Sequence, residues 1–336
     1  MSGKELEYVK EAFEQNWIAP VGPHLTQFED KIKEYTGAKY AVAVSSGTAG
    51  LHLALKALGV GEGDYVLCSS LTFIGTVNPI LYCGAKPIFI DSEEGTWNMD
   101  PTLLEMAIIE STQTLGIKPK AIIPVHIFGI PCDMDSIKKL SEIYDIPIIE
   151  DAAESLGSLY NDKHTGTFGK IGVYSFNGNK ILSTSGGGLI ITDEKDKADH
   201  MRFLSTQAKD PMPYYHHTQM GYNYRMSNIL AAIGVGQLET LESHIKRTRQ
   251  INEIYRKELG DLFHSFLEER STDRSNMWLT CALLKAEYSP TELISYLNSK
   301  NIESRRIWKP MHLQPVLKSY RKYINSKSDI LFAQGI

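Results

Sequence analysis

Cysteine is scarce. The chain holds four in 336 residues, at Cys68, Cys83, Cys132 and Cys281, and no two of them form a C-x-x-C pair. Such spacing indicates neither a disulfide framework nor a zinc site, and reads as small buried hydrophobes in a reducing compartment. No uninterrupted apolar run is long enough to span a bilayer, and Met1 leads into a charged amphipathic stretch instead of an apolar signal core. A cytoplasmic location with no membrane partner is therefore expected. An excess of positive charge is also missing: Lys and Arg total 35 against 40 Asp and Glu, a net charge of −5 with a pI near 6.1. That balance gives no general reason to expect nucleic acid as a partner. Neither G-x-x-x-x-G-K-[ST] nor G-x-G-x-x-G occurs, which argues against a P-loop and disfavours a dinucleotide-binding oxidoreductase. Repeats and low-complexity segments are absent too.

What is present is ordinary for a globular enzyme of two domains, with 42% hydrophobic and 22% charged residues. Apolar runs suited to buried parallel strands alternate with helical periodicity, the pattern of an α/β protein. Seven strands are expected, over Tyr40 to Ser46, Tyr65 to Ser70, Lys86 to Asp91, Ala121 to Gly129, Ile146 to Ala152, Ile171 to Phe176 and Gly187 to Asp193. Helices are expected over Thr48 to Leu58, Asp135 to Tyr144 and Met226 to Leu241. After about Leu241 the texture changes to a charged helix and then short strands. A large domain over residues 1–240 and a smaller α+β domain over residues 241–336 follow from that change. The final "DILFAQGI" reads as a helix running into a strand with no partner, so the small domain is expected to be truncated at its end.

Ligands of parallel α/β sheets bind at the carboxyl ends of strands, which directs attention to four places. In "SSGTAGLHLAL", Ser45 and Ser46 close a strand, Gly47 frees the backbone and Thr48 can cap the following helix, a fitting anion cradle. An ordinary capped helix would look the same. In "IIEDAAESLG", Asp151 is either a cap or an acid held against a cationic nitrogen, and the doublet Glu150–Asp151 is more than a cap needs. In "YSFNGNKILSTSGGGLIIT", Lys180 precedes three glycines, and a lysine screened from water can attack a carbonyl. Ser175, five residues earlier, could add a hydroxyl to the anion site. In "LTFIGTVNP", Phe73 offers a ring for stacking, or simply a core side chain. An anion cradle, an acid for a pyridinium, an amine for an aldehyde and a stacking ring together specify pyridoxal 5′-phosphate (PLP).

Those residues also resemble a known family. "SSGTAGLHLAL", "EDAAESLG", "YSFNGNK…TSGGG" and "GYNYRMSN" occur in the order and spacing of the DegT/StrS-type sugar-nucleotide aminotransferases, PLP enzymes of fold type I. The resemblance runs from about Trp17 to the end of the chain. It implies an aspartate aminotransferase-like α/β fold, with a seven-stranded, mostly parallel sheet flanked by helices and a smaller C-terminal domain. It makes Lys180 the Schiff-base lysine, Asp151 the partner of the pyridinium nitrogen and Phe73 the stacking ring. Gly47, Thr48 and Ser175 would hold the phosphate, joined by Asn223 from the other subunit of a homodimer. Glu154 takes the place near the cofactor's phenolic oxygen where many relatives have Gln or His. A carboxylate there would be repelled unless one of the two groups holds a proton. Most relatives read G-E-G-G where this chain has Ser185-Gly186-Gly187-Gly188, and they extend beyond both of its ends.

"NWIAPVGP", "RSNMWLT" and "RRIWKPMHLQP" narrow the resemblance to enzymes that aminate C4 of UDP-4-keto-6-deoxy-N-acetylglucosamine for bacterial glycan and exopolysaccharide synthesis. The implied reaction is a ping-pong transamination with glutamate as donor. A related 3-dehydratase would carry His in place of Lys180, and a non-enzymatic regulator on the same fold would be free to lose Lys180 or Asp151. The sugar nucleotide needs cations and a flat surface. Trp17, Arg306, Lys309 and His312 are the candidates, because clustered cations beside Trp308 stand out in an otherwise acidic protein.

Overall fold

A computed structural model describes residues 1–336. All seven expected strands form, within two four-stranded sheets. One runs Arg321–Tyr323, Lys86–Ile90, Tyr65–Ser69, Ala121–Ile123, all parallel. The other runs Tyr40–Val44, Gly188–Thr192, Ile171–Ser175, Ile149–Asp151. Within it the last two strands are parallel and Gly188–Thr192 is antiparallel to both of its neighbours. Parallel bridges Ile122↔Ile148 and Val125↔Asp151 join the sheets along one seam. The sheet count therefore differs from the expected single set of seven, and the eighth strand, Arg321–Tyr323, comes from the C-terminal segment.

Two strands are shorter than their apolar runs. The run from Ala121 stops at Ile123 because Pro124 has no N–H to continue the ladder, and Val125 donates instead to Ser69 Oγ at 3.3 Å. Pro147 delays the next strand to Ile149 for the same reason. Beyond Val125 the chain turns through Ile127–Gly129, with Phe128 at φ 53°.

The strands are buried on both faces, as parallel sheets covered by helices must be. Val42 and Val44 pack with Leu51 and Leu55 of helix Gly47–Ala57, whereas Ala41 and Ala43 face the layer holding Phe28 and Leu189. Helices Met134–Tyr144 and Asn228–Leu238 match their expected positions within a few residues. Helix Leu241–Leu259 opens the C-terminal segment, which contains the pair Phe263–Phe266 and Ala282–Leu284 and the helix Pro290–Ser299. The closing residues do find a partner: Ile336 and Ala282 exchange two backbone hydrogen bonds, both 3.0 Å. No helix is long and apolar enough to cross a membrane.

Candidate active site

At the end of strand Tyr40–Val44 the chain passes through Ser46, in extended conformation, into helix Gly47–Ala57. Ser46, not Thr48, is the cap: its Oγ accepts the Ala49 amide at 3.0 Å. The Gly47 and Thr48 amides lie in the first turn, where no intrahelical acceptor exists. Gly188 pairs with both Val44 and Ser175, and a Cβ on it would fall 2.6 Å from Gly47 N. A Cβ on Gly47 would in turn lie 3.0 Å from Ser175 Cβ. The glycines thus let three strand ends converge on one helix N-terminus, with the Ser175 side chain at its edge. Thr48 Oγ1 and the Phe73 ring both border Gly75, whose added Cβ would sit 3.1 Å and 3.0 Å from them.

The Glu150–Asp151 doublet splits, as successive strand residues do, to opposite faces. Glu150 is structural. Its Oε1 accepts the Phe168 and Gly169 amides at 2.6 Å each, and its Oε2 accepts Gly166 N at 2.7 Å and lies 3.0 Å from His126 Nε2. His126 Nδ1 accepts the Cys132 amide, so Nε2 carries the proton donated to Glu150. Asp151 points into the candidate site. Oδ2 accepts the Thr76 hydroxyl at 2.7 Å and Oδ1 accepts the Ala153 amide at 3.1 Å. No helix follows, so it is not a helix cap. Burial raises its pKa, against the lowering effects of Thr76, Ala153, Lys180 and His126.

Lys180 has an acidic partner from outside its own loop. Its Nζ donates to Glu154 Oε1 at 3.1 Å and lies 4.1 Å from the centroid of the Trp278 ring, with the lysine side chain 12% exposed. Glu154 Oε2 accepts the Phe128 amide at 2.7 Å. Burial raises the Glu154 pKa and the nearby Asp151 charge adds to the rise, while Lys180 and the Phe128 amide oppose it. Both Glu154 oxygens thus accept hydrogen bonds, one from Lys180 and one from the Phe128 amide.

Phe73 is 59% exposed at the start of helix Ile74–Tyr82, with its ring 5.7 Å from Trp308, which also meets Phe128 at 5.1 Å. "RRIWKPMHLQP" thus reaches the site through Trp308. The other residues expected from that run divide. Arg306 donates to the Phe332 and Ala333 carbonyls at 2.8 and 3.0 Å and stacks on Phe332, bracing the last turn of helix Lys327–Gln334. His312 is buried, with Nδ1 2.7 Å from Ser70 Oγ and Nε2 3.0 Å from Asp329. Arg306 thus braces the C-terminal segment internally and His312 ties that segment to Ser70, so both side chains have protein partners at the positions read from the sequence as ligand contacts. Lys309 is half-buried and its ammonium has no ion-pair partner. Trp17 is exposed, its carbonyl accepting Asn228 Nδ2 at 2.9 Å. Asn223 is exposed in a loop bridged to Thr206. Thr76 and Trp278 were missed, because their partners are 75 and about 100 residues away in sequence.

The model of the DegT/DnrJ/EryC1/StrS aminotransferase family matches residues 1–334. The chain belongs to that family. It is 47% identical over its full length to the candidate PLP-dependent aminotransferase EpsN of Bacillus subtilis (strain 168), covering 88% of that protein. It is 40% identical to GDP-perosamine synthase of Escherichia coli O157:H7, over 96% of this chain and 87% of that protein. A DegT/DnrJ/EryC1/StrS aminotransferase from Brucella abortus superposes with a TM-score of 0.93 at 29% identity, over 99% of this chain and 89% of that one. This family member is accordingly a PLP-dependent sugar aminotransferase of fold type I. Its residues fit that cofactor. A buried carboxylate short of countercharge, a largely buried amine and unpaired helix-turn amides are what a cationic ring nitrogen, a carbonyl and a phosphate each need.

Proposed function

We propose that this chain transfers an amino group from glutamate to C4 of a nucleotide-linked 4-keto-6-deoxy sugar, UDP-4-keto-6-deoxy-GlcNAc, in the cytoplasm, for glycan or exopolysaccharide synthesis. The single observation that carries the chemistry is Lys180 facing Glu154, with Asp151 buried nearby and bonded to Thr76. When bound, PLP supplies an electron-accepting ring and the carbonyl that takes up the amino group. Asp151 holds a proton on the ring nitrogen. Gly47, Thr48 and Ser175 bind the phosphate, and Phe73 covers the ring. With its amine free, Lys180 would accept the proton leaving the donor's α-carbon in one half-reaction and deliver a proton to sugar C4 in the other. Glu154 stands where it can share a proton with Lys180, and its rise in pKa suits that exchange. Trp17 and Lys309 contact the nucleotide sugar.

The working unit in this reading is a homodimer in which Asn223 reaches the partner's phosphate site. The loop that carries it is rich in exposed Met212, Tyr214, Tyr215 and Met220, which a partner would cover. The likeness to GDP-perosamine synthase supports a second reading, a GDP-linked keto sugar. Incubation with glutamate and either UDP-4-keto-6-deoxy-GlcNAc or GDP-4-keto-6-deoxymannose, followed by mass spectrometry, tests both. The 4-amino UDP sugar with matching 2-oxoglutarate is expected. Turnover of the GDP sugar alone would overturn the choice of nucleotide and leave the aminotransferase assignment standing.

A further inference from the structure

The segment "RSNMWLT" has no part in the roles above, yet it is fastened to the site at several points. Asn276 is fully buried and donates from Nδ2 to the Glu154 and Leu156 carbonyls at 2.8 and 3.0 Å. Its own amide donates to Ser158 Oγ at 2.9 Å, and its Oδ1 accepts the Trp278 amide at 2.9 Å. The fit is close: a Cβ on Gly129 would sit 2.1 Å from Asn276 Oδ1. Met277, between the two, takes a left-handed φ of 47°, which turns Trp278 back over the site. There the indole Nε1 donates to the Asn179 carbonyl at 2.6 Å, one residue before Lys180, while the ring face lies 4.1 Å from the Lys180 ammonium.

We propose that Trp278 is a positioning residue for Lys180: the indole N–H fixes the loop carbonyl at Asn179, and the ring face holds the lysine's amine beside Glu154 whenever that amine is free. This rests on Lys180 being the lysine that carries the cofactor. The physical basis is the attraction of a cation to the negative face of an indole, strongest among aromatic rings and greater where water is excluded. The charged groups facing the amine are Glu154 and Asp151. Without the ring, the long side chain has only Glu154 to define its direction, and a general base must be aimed to work.

The test uses the full-length protein freed of cofactor and labelled with 13C at lysine Cε, so the readout does not depend on turnover. Ring currents from Trp278 should move the Lys180 ε-methylene resonance upfield of the other lysines, with assignment by its loss in Lys180→Arg. Trp278→Leu should return the signal to the bulk position, and Trp278→Phe should keep it displaced. In the loaded enzyme, Trp278→Leu should lower kcat by about three- to tenfold with KM for glutamate little changed, and Trp278→Phe should recover most of that loss. A wild-type Lys180 signal among the bulk lysines would overturn the proposal, as would equal kcat losses in both variants. If Trp278→Leu fails to fold, the wild-type and Trp278→Phe spectra still decide the matter. Reductive labelling of the cofactor lysine identifies that residue independently, so the two ideas fail separately.

Discussion

Thr76 donates its hydroxyl proton to Asp151 across 2.7 Å, and in consequence its oxygen accepts the second short bond, from Thr72 at 2.6 Å. The bond favours the ionised carboxylate in a place where burial disfavours it. Thr76→Val keeps the shape and removes the donor. Loss of a hydrogen bond to a buried charge costs about 1.5–3 kcal/mol, so PLP affinity should fall about ten- to a hundredfold by equilibrium dialysis. Unchanged affinity would show that Thr76 does not support the ionised acid.

Asp151 should destabilise the cofactor-free fold at neutral pH. Its pKa is raised on folding, so the protonated acid is favoured in the native state and the related stability is present below the unfolded value, near 4. That stability is lost as pH rises through the folded value. Asp151→Asn should therefore melt higher than wild type at pH 7 without cofactor, and the difference should vanish toward pH 4. With cofactor, the same variant should lose turnover by several orders of magnitude, since a neutral amide cannot hold the ring proton. A wild-type pH profile of melting for Asp151→Asn would contradict the account.

Arg306 and Lys309 are three residues apart but should separate in assay. Arg306 braces two helix-end carbonyls, so Arg306→Ala should lower the unfolding free energy by about 1–3 kcal/mol and leave KM for the sugar nucleotide little changed. Lys309→Ala should raise that KM with stability unaltered. The reverse pattern would return Arg306 to the substrate site.

Subunits carrying Lys180→Ala and Asn223→Ala, each inactive or weakened alone, should regain activity when mixed. One of the two sites in the mixed dimer would then be intact. No recovery after verified exchange would count against a shared phosphate site.

Much of this was legible in the chain. The strand ends carrying Ser46, Asp151 and Ser175 follow from apolar runs punctuated by small polar residues, and the glycines around Lys180 mark a close approach that Gly188 makes to Gly47. Strand ends after Ile123 and before Ile149 were misplaced because apolar character outweighed the proline effect on the ladder. The Glu150–Asp151 doublet reads as one feature in sequence, although its members face opposite ways and only Asp151 enters the site. The protein partners of Arg306 and His312, the Phe332 carbonyl and Ser70, were not legible because they are 26 and 242 residues away. Trp278 was invisible for the same reason. Its relation to Lys180 exists only once Asn276 has locked onto the Glu154 turn.

Everything above depends on Lys180 being the residue that carries the cofactor. Borohydride reduction of the loaded protein, followed by peptide mapping, tests this directly. The account predicts a single reduced cofactor adduct on Lys180, and none in Lys180→Ala. An adduct on Lys163 or Lys170 instead would contradict it.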